Sequence, residues 1–212
     1  KNVVIMIGDG MGLPSQMAAR SYLNDVNVEL SFEKFPYSGM SKVYCVNYQV
    51  PDSASTATAL LTGVKNNFMV LALTADVNLR NCSAASDESH QIDSIFKYAQ
   101  DVGKSTGIVT TTRVTHATPA AAYAISASRQ WEGNDGTPQG CKDIADQLIN
   151  GKIGKNLDVI FGGGLRYFLP VTEGGRRTDG RNLIKEYTLN NQRDGNRVAL
   201  AFNKTHLNGI NT

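Results

Sequence analysis

The sequence contains no apolar run that approaches the roughly 18 residues needed to span a bilayer. Lys1-Asn2 is followed directly by a β-branched apolar segment, which differs from the charged, apolar and small-residue regions of a signal peptide. We therefore expect the visible chain to be soluble. Any signal peptide or membrane anchor would lie outside these 212 residues.

The sequence also lacks an excess of charge of either sign, since 21 Lys and Arg balance 19 Asp and Glu for a formal net charge of +2. Without a basic stripe there is no electrostatic footprint for nucleic acid, so we do not expect that partner. The densest basic cluster is Arg176-Arg177 with Arg181, in a glycine-rich stretch over 172–180. Because clustered charges are usually solvated, we predict an exposed loop there.

Cysteine is scarce. The three cysteines, Cys45, Cys82 and Cys141, lack the close spacing of a zinc knuckle or a redox pair. The tripeptides that begin at Asn81 and Asn203 match the N-glycosylation acceptor pattern, which names both residues as candidate glycosylation sites. A glycoprotein passes through the secretory route, where disulfides are chemically permitted.

The sequence does contain the 41% hydrophobic and 19% charged residues expected of a globular protein. Short β-branched runs alternate with segments of helical periodicity. The predicted strands are 3–7, 107–110 and 157–161, and the predicted helices begin near Pro14, Asp52, Ile92, Thr118 and Ile144. This alternation predicts a mostly parallel sheet with helices on both faces, in one α/β domain over residues 1–212 without an internal boundary.

The segment Gly8-Asp9-Gly10-Met11-Gly12 follows the first predicted strand. Its glycines allow a sharp turn, which leaves the Asp9 carboxylate projecting from the sheet edge, where it could bind a cation. A dinucleotide-binding fingerprint would need a glycine where Leu13 stands, so that interpretation fails. A simple turn in which Asp9 caps the next helix explains the motif equally well.

Asp52 and Ser53 begin a predicted helix rich in small residues. If Ser53 starts that helix, its hydroxyl lies where free N–H groups and the helix dipole stabilise an alkoxide or a phosphate. Asp and Ser are also preferred helix caps. From local sequence alone, a capping role for Ser53 is the commoner explanation.

Two further candidates follow in the chain. His116-Ala117-Thr118-Pro119 comes after a predicted strand and opens a helix, which places an imidazole and a hydroxyl near a helix N-terminus. Arg129, near the end of that predicted helix, could offer a bidentate guanidinium to phosphate. A lone histidine is usually structural and an unpaired arginine usually lies at the surface, so both explanations stay open.

In their order along the chain, these motifs resemble those of alkaline phosphatases, most closely the animal ones. The resemblance extends over nearly the whole chain and covers residues 8–12, 35–42, 51–65, 103–120 and 162–164. It implies hydrolysis of phosphate monoesters, with little selectivity beyond the phosphate, through a phosphoserine intermediate. It also implies two zinc ions and one magnesium ion for each full-length subunit.

The resemblance assigns a role to each matching residue. Asp9 matches the carboxylate that bridges one zinc and the magnesium, and Ser53 matches the nucleophile that also ligates that zinc. Asp52 would orient Arg129, which matches the phosphate-binding arginine.

Thr118 matches the hydroxyl ligand of magnesium. His116 stands where animal members carry a histidine, near the magnesium but not bound to it. The remaining ligand motifs of the family are absent, so the resemblance implies an α/β domain that is incomplete at its C-terminal side. We expect this N-terminal part to be inactive alone.

The resemblance further implies a disulfide between Cys82 and Cys141, with Cys45 unpaired. Animal members are secretory homodimers, usually held at the extracellular face of the membrane by a GPI lipid anchor. The implied location is therefore that face or the extracellular space, with membrane contact only through an anchor outside this chain.

Two rival hypotheses remain. A sulfatase, phosphodiesterase or phosphomutase could share the fold, but a sulfatase carries Cys or Ser followed by x-Pro-Ser-Arg, whereas this chain has Ser53-Ala54-Ser55-Thr56. The chain could also belong to a surface receptor of the same fold or a homologue that has lost catalysis. The intact catalytic positions argue against lost catalysis but not against receptor use.

Overall fold

A computed structural model describes residues 1–210. Its helices are α1 (Leu13–Tyr22), α2 (Ser53–Thr62), α3 (Cys82–Ser86), α4 (Ile95–Asp101), α5 (Ala117–Ala120), α6 (Ile144–Asn150), α7 (Leu183–Arg193) and α8 (Lys204–Asn208). The strands are β1 (Gly107–Arg113) and β2 (Val159–Gly163). Short 3₁₀ helices lie at Ser31–Lys34, Glu88–His90, Asn134–Gly136, Gly154–Asn156, Leu165–Tyr167 and Val171–Glu173. None of the helices within the described residues has the length and apolar character needed to cross a bilayer.

The predicted helices are all present, and local capping explains their ends. Helix α4 begins later than predicted because the Ser94 hydroxyl accepts a hydrogen bond from the Phe96 N–H and caps the helix. Helix α2 ends at Gly63, whose φ of 77° is the left-handed conformation that glycine adopts without steric cost. Both of these ends are set by contacts between residues that are close in sequence.

The predicted parallel sheet is confirmed, since β1 and β2 pair in parallel with Gly107 opposite Val159 and Val109 opposite Phe161. Parallel strands need a long connection, and here the chain passes through α5 and α6 between them. Ile108 is 6% exposed, whereas its neighbour Val109 is 77% exposed. The described residues therefore cover one face of β1 and leave the other open.

The glycines at the end of β2 allow β1 and the loop that follows it to lie close to β2. A Cβ atom at Gly162 would lie 2.6 Å from Thr110 Cγ2 and 2.7 Å from Val114 Cγ1. Any side chain there would push β2 away from the loop. Because that loop leads directly to His116, the glycine helps to set the position of a candidate site residue.

Residues 3–7, predicted as a buried strand, do not form one, so that prediction is wrong for this structure. Val4 is 81% exposed and Met6 is 86% exposed. No strand within the described residues pairs with this segment, since the sheet consists of β1 and β2. A β-branched run favours a strand only where a neighbour accepts its backbone hydrogen bonds and another layer covers it.

The main hydrophobic core joins α2, α5, β1, α6 and α7. Ala54 and Ala57 of α2 and Ala117 and Ala120 of α5 are each at most 1% exposed. Small side chains let two helix backbones approach closely at the packing density of a protein interior. The start of α2, where Ser53 lies, is therefore held close to α5.

The disulfide between Cys82 and Cys141 is present, with Cα atoms 5.8 Å apart, and Cys45 is free and buried. The bridge packs against a smaller core that includes Val70 and Trp131. For a sequence separation of 59 residues, the chain-entropy model gives a stabilisation of about 4 kcal/mol. The bridge therefore fastens α3 to the segment that precedes α6.

The glycine-rich stretch over 172–180 is mostly exposed, as its charges predict, but Arg177 within it is buried. The Arg177 side chain is 1% exposed, and its guanidinium donates to both oxygens of Asp143 at 3.1 Å and to Asp179 Oδ2 at 2.5 Å. Asp143 is also the N-cap of α6, because its side chain accepts from the Asp146 N–H. A planar guanidinium with five donors can be buried where carboxylates satisfy it. Arg177 thereby ties the stretch to α6.

Replacing Arg177 with methionine should lower the free energy of unfolding by about 3–5 kcal/mol, because Asp143 would remain buried without its partner. Urea unfolding followed by circular dichroism measures the change. Arg176→Met is the matched control, since the Arg176 side chain is 53% exposed in its ion pair with Asp135, and such surface pairs contribute at most about 1 kcal/mol. Equal, small effects for both variants would contradict the proposed tie.

Candidate active site

The candidate site begins at the N-terminus of α2, where Asp52 is the N-cap. Asp52 Oδ2 accepts from the Ala54 N–H at 3.1 Å, and Oδ1 accepts from the Ser55 N–H at 3.3 Å. The capping role that local sequence favours for Ser53 therefore belongs to Asp52. Ser53 is the first residue of α2, and its hydroxyl takes no part in capping the helix.

Arg129 joins three of the predicted site residues. Its Nη1 donates to Asp52 Oδ2 at 2.9 Å and to Ser53 Oγ at 2.7 Å, while its Nη2 lies 2.9 Å from His116 Nε2. The prediction that Arg129 lies near the end of a helix is wrong, because α5 ends at Ala120 and Arg129 lies in an irregular segment beyond it. Tertiary contacts, and not a helix face, direct its side chain into the site.

The Asp52 carboxylate remains ionised because its partners outweigh its burial. Burial by itself raises the pKa of Asp52, but hydrogen bonds from the Met69 N–H, from Arg129 and from the start of α2 together hold that pKa below its ordinary value. The Asp52 side chain is only 10% exposed, against 21% for Arg129. The pair therefore forms a shielded charge contact at the base of the site.

His116 is neutral, with its proton on Nδ1. A guanidinium only donates, so His116 Nε2 accepts from Arg129 and carries no proton. Burial, followed by the positive charge of Arg129, lowers the pKa of His116 below its ordinary value of 6.5. The protonated Nδ1 lies 3.8 Å from Asp9 Oδ2 and has no hydrogen-bond partner among the described residues.

The surroundings of Asp9 and Thr118 fit an oxygen-binding cation. Thr118 Oγ1 is buried without a hydrogen-bond partner among residues 1–210, a costly state that a bound cation would relieve. The His116 Nδ1–H cannot ligate a metal but can donate to Asp9 or to a metal-bound water. Across the described part of the chain, no three His, Cys, Asp or Glu side chains form a group that could hold a metal ion. Asp9 and Thr118 are therefore candidate cation ligands that do not complete a site by themselves.

A second ion pair, which sequence reasoning missed, braces the loop that carries His116. Glu132 accepts from Arg113 Nε at 2.7 Å and Nη2 at 2.8 Å, and from the Thr115 hydroxyl at 2.6 Å. Burial alone raises the pKa of Glu132, but the hydrogen bonds from Arg113 and Thr115 lower it overall. No spacing or motif marks Glu132, because its partners lie outside any regular helix.

Met69 is the other residue that the sequence does not reveal. Its backbone N–H donates to Asp52 Oδ1 at 2.9 Å, and its carbonyl accepts from the Arg129 N–H at 2.9 Å. Met69 has a φ of 63°, an unusual conformation for a residue other than glycine. Nothing in its local sequence predicts this conformation.

The candidate glycosylation residues make none of these contacts. Asn81 caps α3 by accepting from the Ala84 N–H, and Asn203 caps α8 by accepting from the His206 N–H. Both residues are exposed, as a glycan requires. Both asparagines remain candidates for modification, and neither belongs to the candidate active site.

Comparison with protein families and curated proteins identifies one family. The alkaline phosphatase family model matches residues 1–209. A membrane-bound alkaline phosphatase of Bombyx mori is 46% identical in an alignment that covers 95% of this chain and 40% of that protein. The tissue-nonspecific alkaline phosphatase of Mus musculus is 43% identical, covering 93% of this chain and 37% of that protein. The chain thus spans less than half the length of these relatives.

Comparison with solved structures confirms the alkaline phosphatase fold. The enzyme from the Antarctic bacterium TAB5 aligns with a TM-score of 0.62 and 27% identity, covering 86% of this chain and 43% of that chain. A variant of the TAB5 enzyme with Mg bound in its M3 site aligns with a TM-score of 0.64 and 28% identity. The enzyme from the psychrophile Shewanella sp. aligns with a TM-score of 0.59 and 29% identity, covering 79% and 37% of the two chains.

Glu132→Gln should destabilise the protein in a pH-dependent way. Because the folded pKa of Glu132 lies below its ordinary value of 4.5, its charge stabilises the fold above that pH, and the benefit is lost as the pH falls through the folded pKa. We expect a deficit of roughly 1–2 kcal/mol at neutral pH, shrinking below pH 4.5. Urea unfolding across this pH range is the measurement, with the exposed Glu88→Gln as control. A deficit independent of pH would contradict the assignment.

Proposed function

Because this chain belongs to the alkaline phosphatase family, we propose that it carries the nucleophile and the phosphate-binding arginine of an enzyme that hydrolyses phosphate monoesters. The contact of Arg129 Nη1 with Ser53 Oγ at 2.7 Å and with Asp52 Oδ2 at 2.9 Å is the observation that carries this proposal. A serine at a helix N-terminus beside an oriented guanidinium can accept and hold a phosphoryl group.

The reaction proceeds in two transfers. Ser53 Oγ attacks phosphorus, the bond to the ester oxygen breaks, and the alcohol leaves with the proton that the serine gives up. Water then attacks the phosphoserine, which releases inorganic phosphate and restores the Ser53 hydroxyl. A covalent intermediate divides one slow hydrolysis into two easier steps, and phosphomonoester hydrolysis is among the slowest uncatalysed reactions known.

Arg129 binds the phosphoryl oxygens while Asp52 keeps it in place. The Nη1–H and Nη2–H groups that contact Ser53 and His116 can instead donate hydrogen bonds to a phosphate, whereas the other Nη1–H keeps its hydrogen bond to Asp52. The ionised Asp52 fixes the plane of the guanidinium, so little orientation is lost when phosphate binds. The N-terminus of α2 adds its partial positive charge to this arrangement.

We propose Asp9 and Thr118 as ligands of a magnesium ion, and Asp9 and Ser53 as ligands of one of two zinc ions. The Nδ1–H of His116 would support the magnesium site through Asp9 or a bound water. Such ions, when bound, favour ionisation of the serine hydroxyl and neutralise negative charge on the phosphoryl group. The unpartnered Thr118 hydroxyl and the Mg-bound TAB5 variant support this part of the proposal.

Asp9, Ser53 and Thr118 would supply only some of the ligands of the proposed metal site. We therefore propose that the chain is the N-terminal part of a longer enzyme. Its coverage of 40% and 37% of the curated relatives supports this view. The remaining metal ligands would come from sequence beyond the 212 residues.

We further propose a secretory glycoprotein at the extracellular face of the membrane, held by a GPI lipid anchor, or secreted, and a homodimer at full length. The disulfide, the exposed candidate glycosylation residues Asn81 and Asn203, and the membrane-bound relative in Bombyx mori support this placement. The substrates would be phosphate monoesters of low selectivity, since the residues described bind only the phosphate.

The 212-residue chain alone should not hydrolyse an aryl phosphate, because it lacks the remaining metal ligands. Release of the coloured phenolate, with zinc and magnesium supplied, measures the activity. The full-length protein under the same conditions is the control and should be active. Robust turnover by the 212-residue chain would contradict the proposal that further metal ligands are needed for activity.

In the full-length protein, Ser53→Ala should lower kcat for an aryl phosphate by roughly 10³-fold or more, because no covalent intermediate can form. Inorganic phosphate should still bind, since Arg129 and Asp52 are unchanged. Ser105→Ala, at an exposed serine outside the site, is the matched control and should leave kcat unaltered.

Two outcomes of this experiment would redirect the functional proposal. If Ser53→Ala retained most of the activity, Ser53 would not be the nucleophile. If the full-length protein bound phosphate but showed no turnover with metals present, a receptor or a homologue that has lost catalysis would be the better description.

A further inference from the structure

The backbone of Met69 closes a ring of hydrogen bonds around the Asp52–Arg129 ion pair. The Met69 N–H donates to Asp52 Oδ1, and the Met69 carbonyl accepts from the Arg129 N–H, each at 2.9 Å. The Arg129 side chain returns to Asp52 Oδ2, also at 2.9 Å. A single residue thus contacts both members of the pair, which are 77 residues apart in sequence.

The left-handed conformation of Met69 makes this double contact possible. Leu71, two residues later, exchanges both of its backbone hydrogen bonds with Ser126, as paired residues of an antiparallel ladder do. In a continued ladder, Met69 would direct both its N–H and its C=O toward Ser128. With a φ of 63°, Met69 instead leaves the ladder: its carbonyl meets the Arg129 N–H while its N–H turns to Asp52.

Residues 69–72 form one segment, and its second end, at Ala72, is also attached to α2. The Ala72 N–H donates to the Thr58 hydroxyl at 3.1 Å, and Ala72 has a φ of 49°. Thr58 and Leu71 are fully buried at 0% exposure, and Val70 packs in the smaller core beside the disulfide. Residues 69–72, which we call the strap, are therefore held at both ends by α2 and along their length by the core.

We propose that the strap is a positioning element for Arg129, and that the left-handed backbone of Met69 sets the distance between the phosphate-binding guanidinium and Ser53. This inference rests on the proposed function, since it assigns the strap to the same phosphate site. Met69 does not touch the reacting atoms and acts only through Asp52 and Arg129.

The proposal predicts that backbone preference at position 69 controls phosphate binding. A β-branched residue is strongly disfavoured at positive φ, whereas glycine adopts it freely. In the full-length enzyme, Met69→Val should raise KM for an aryl phosphate and the inhibition constant of inorganic phosphate by about tenfold. Met69→Gly, which keeps the conformation and lacks any side chain, should raise both by about twofold.

The matched control is Met40→Val, the same chemical change at a residue that is 104% exposed. Met40→Val should alter neither constant. If Met69→Val and Met69→Gly weaken phosphate binding equally, the side chain and not the backbone is responsible, and the proposal is overturned.

A double-mutant cycle separates positioning from general destabilisation. The Arg129→Ala variant lacks the guanidinium that the strap is proposed to position. In that background, Met69→Val should therefore cause no further change in the inhibition constant of phosphate. An undiminished tenfold effect in that background would overturn the proposal.

Thr58→Val provides a second variant should Met69→Val not fold. It removes the hydroxyl that holds Ala72, and we expect a rise in the inhibition constant of about threefold, again absent in the Arg129→Ala background. An unchanged constant for Thr58→Val would count against the strap.

The failure of this inference differs from failure of the proposed function. If Ser53→Ala abolishes turnover while the Met69 and Thr58 variants bind phosphate normally, the enzyme assignment stands and the strap has no positioning role. If Ser53→Ala remains active, the functional proposal itself is wrong.

Discussion

The ion pair between Asp52 and Arg129 is the contact on which the candidate site depends. It joins the N-terminus of α2 to an irregular segment 77 residues later, and both carboxylate oxygens have other partners as well. Asp52 caps α2, accepts from the Met69 N–H and orients the guanidinium. Removing this carboxylate would therefore loosen the helix start, the Met69 backbone and the arginine together, which is why one acidic residue links fold and chemistry.

Three arginines in this structure show how partners separate structural from functional guanidinium groups. Arg177 is buried, and its guanidinium donates to two carboxylates and a backbone carbonyl, whereas Arg113 is held bidentately by Glu132. Among residues 1–210, the side chain of Arg129 has one carboxylate partner, and its other acceptors are a serine hydroxyl and an imidazole. A phosphate dianion can displace neutral acceptors far more easily than an ionised carboxylate. This difference supports the proposal that Arg129, of the three arginines, binds an anionic ligand.

The part of the site that we propose to bind phosphate differs from the part that we propose to bind metal. Ser53 and Arg129 have their contacts, whereas Thr118 Oγ1 and His116 Nδ1 are buried without partners among the described residues. The apolar run at 3–7, which leads to Asp9, is also exposed and has no covering layer among the described residues. This chain matches about two fifths of the length of its relatives, which agrees with the proposal that further ligands come from the rest of the enzyme.

Local sequence determined the features that depend on neighbouring residues, namely the helices and the Gly63 cap. The alternation of strands and helices indicated the parallel sheet, and family resemblance indicated the Cys82–Cys141 bridge. Only the tertiary structure decided that Asp52 is the cap, that Arg129 reaches Ser53 from outside a helix and that Arg177 is buried. The physical reason is distance along the chain. Caps and turns are satisfied within a few residues, but ion pairs, strand partners and the left-handed Met69 depend on groups that folding brings together from far apart.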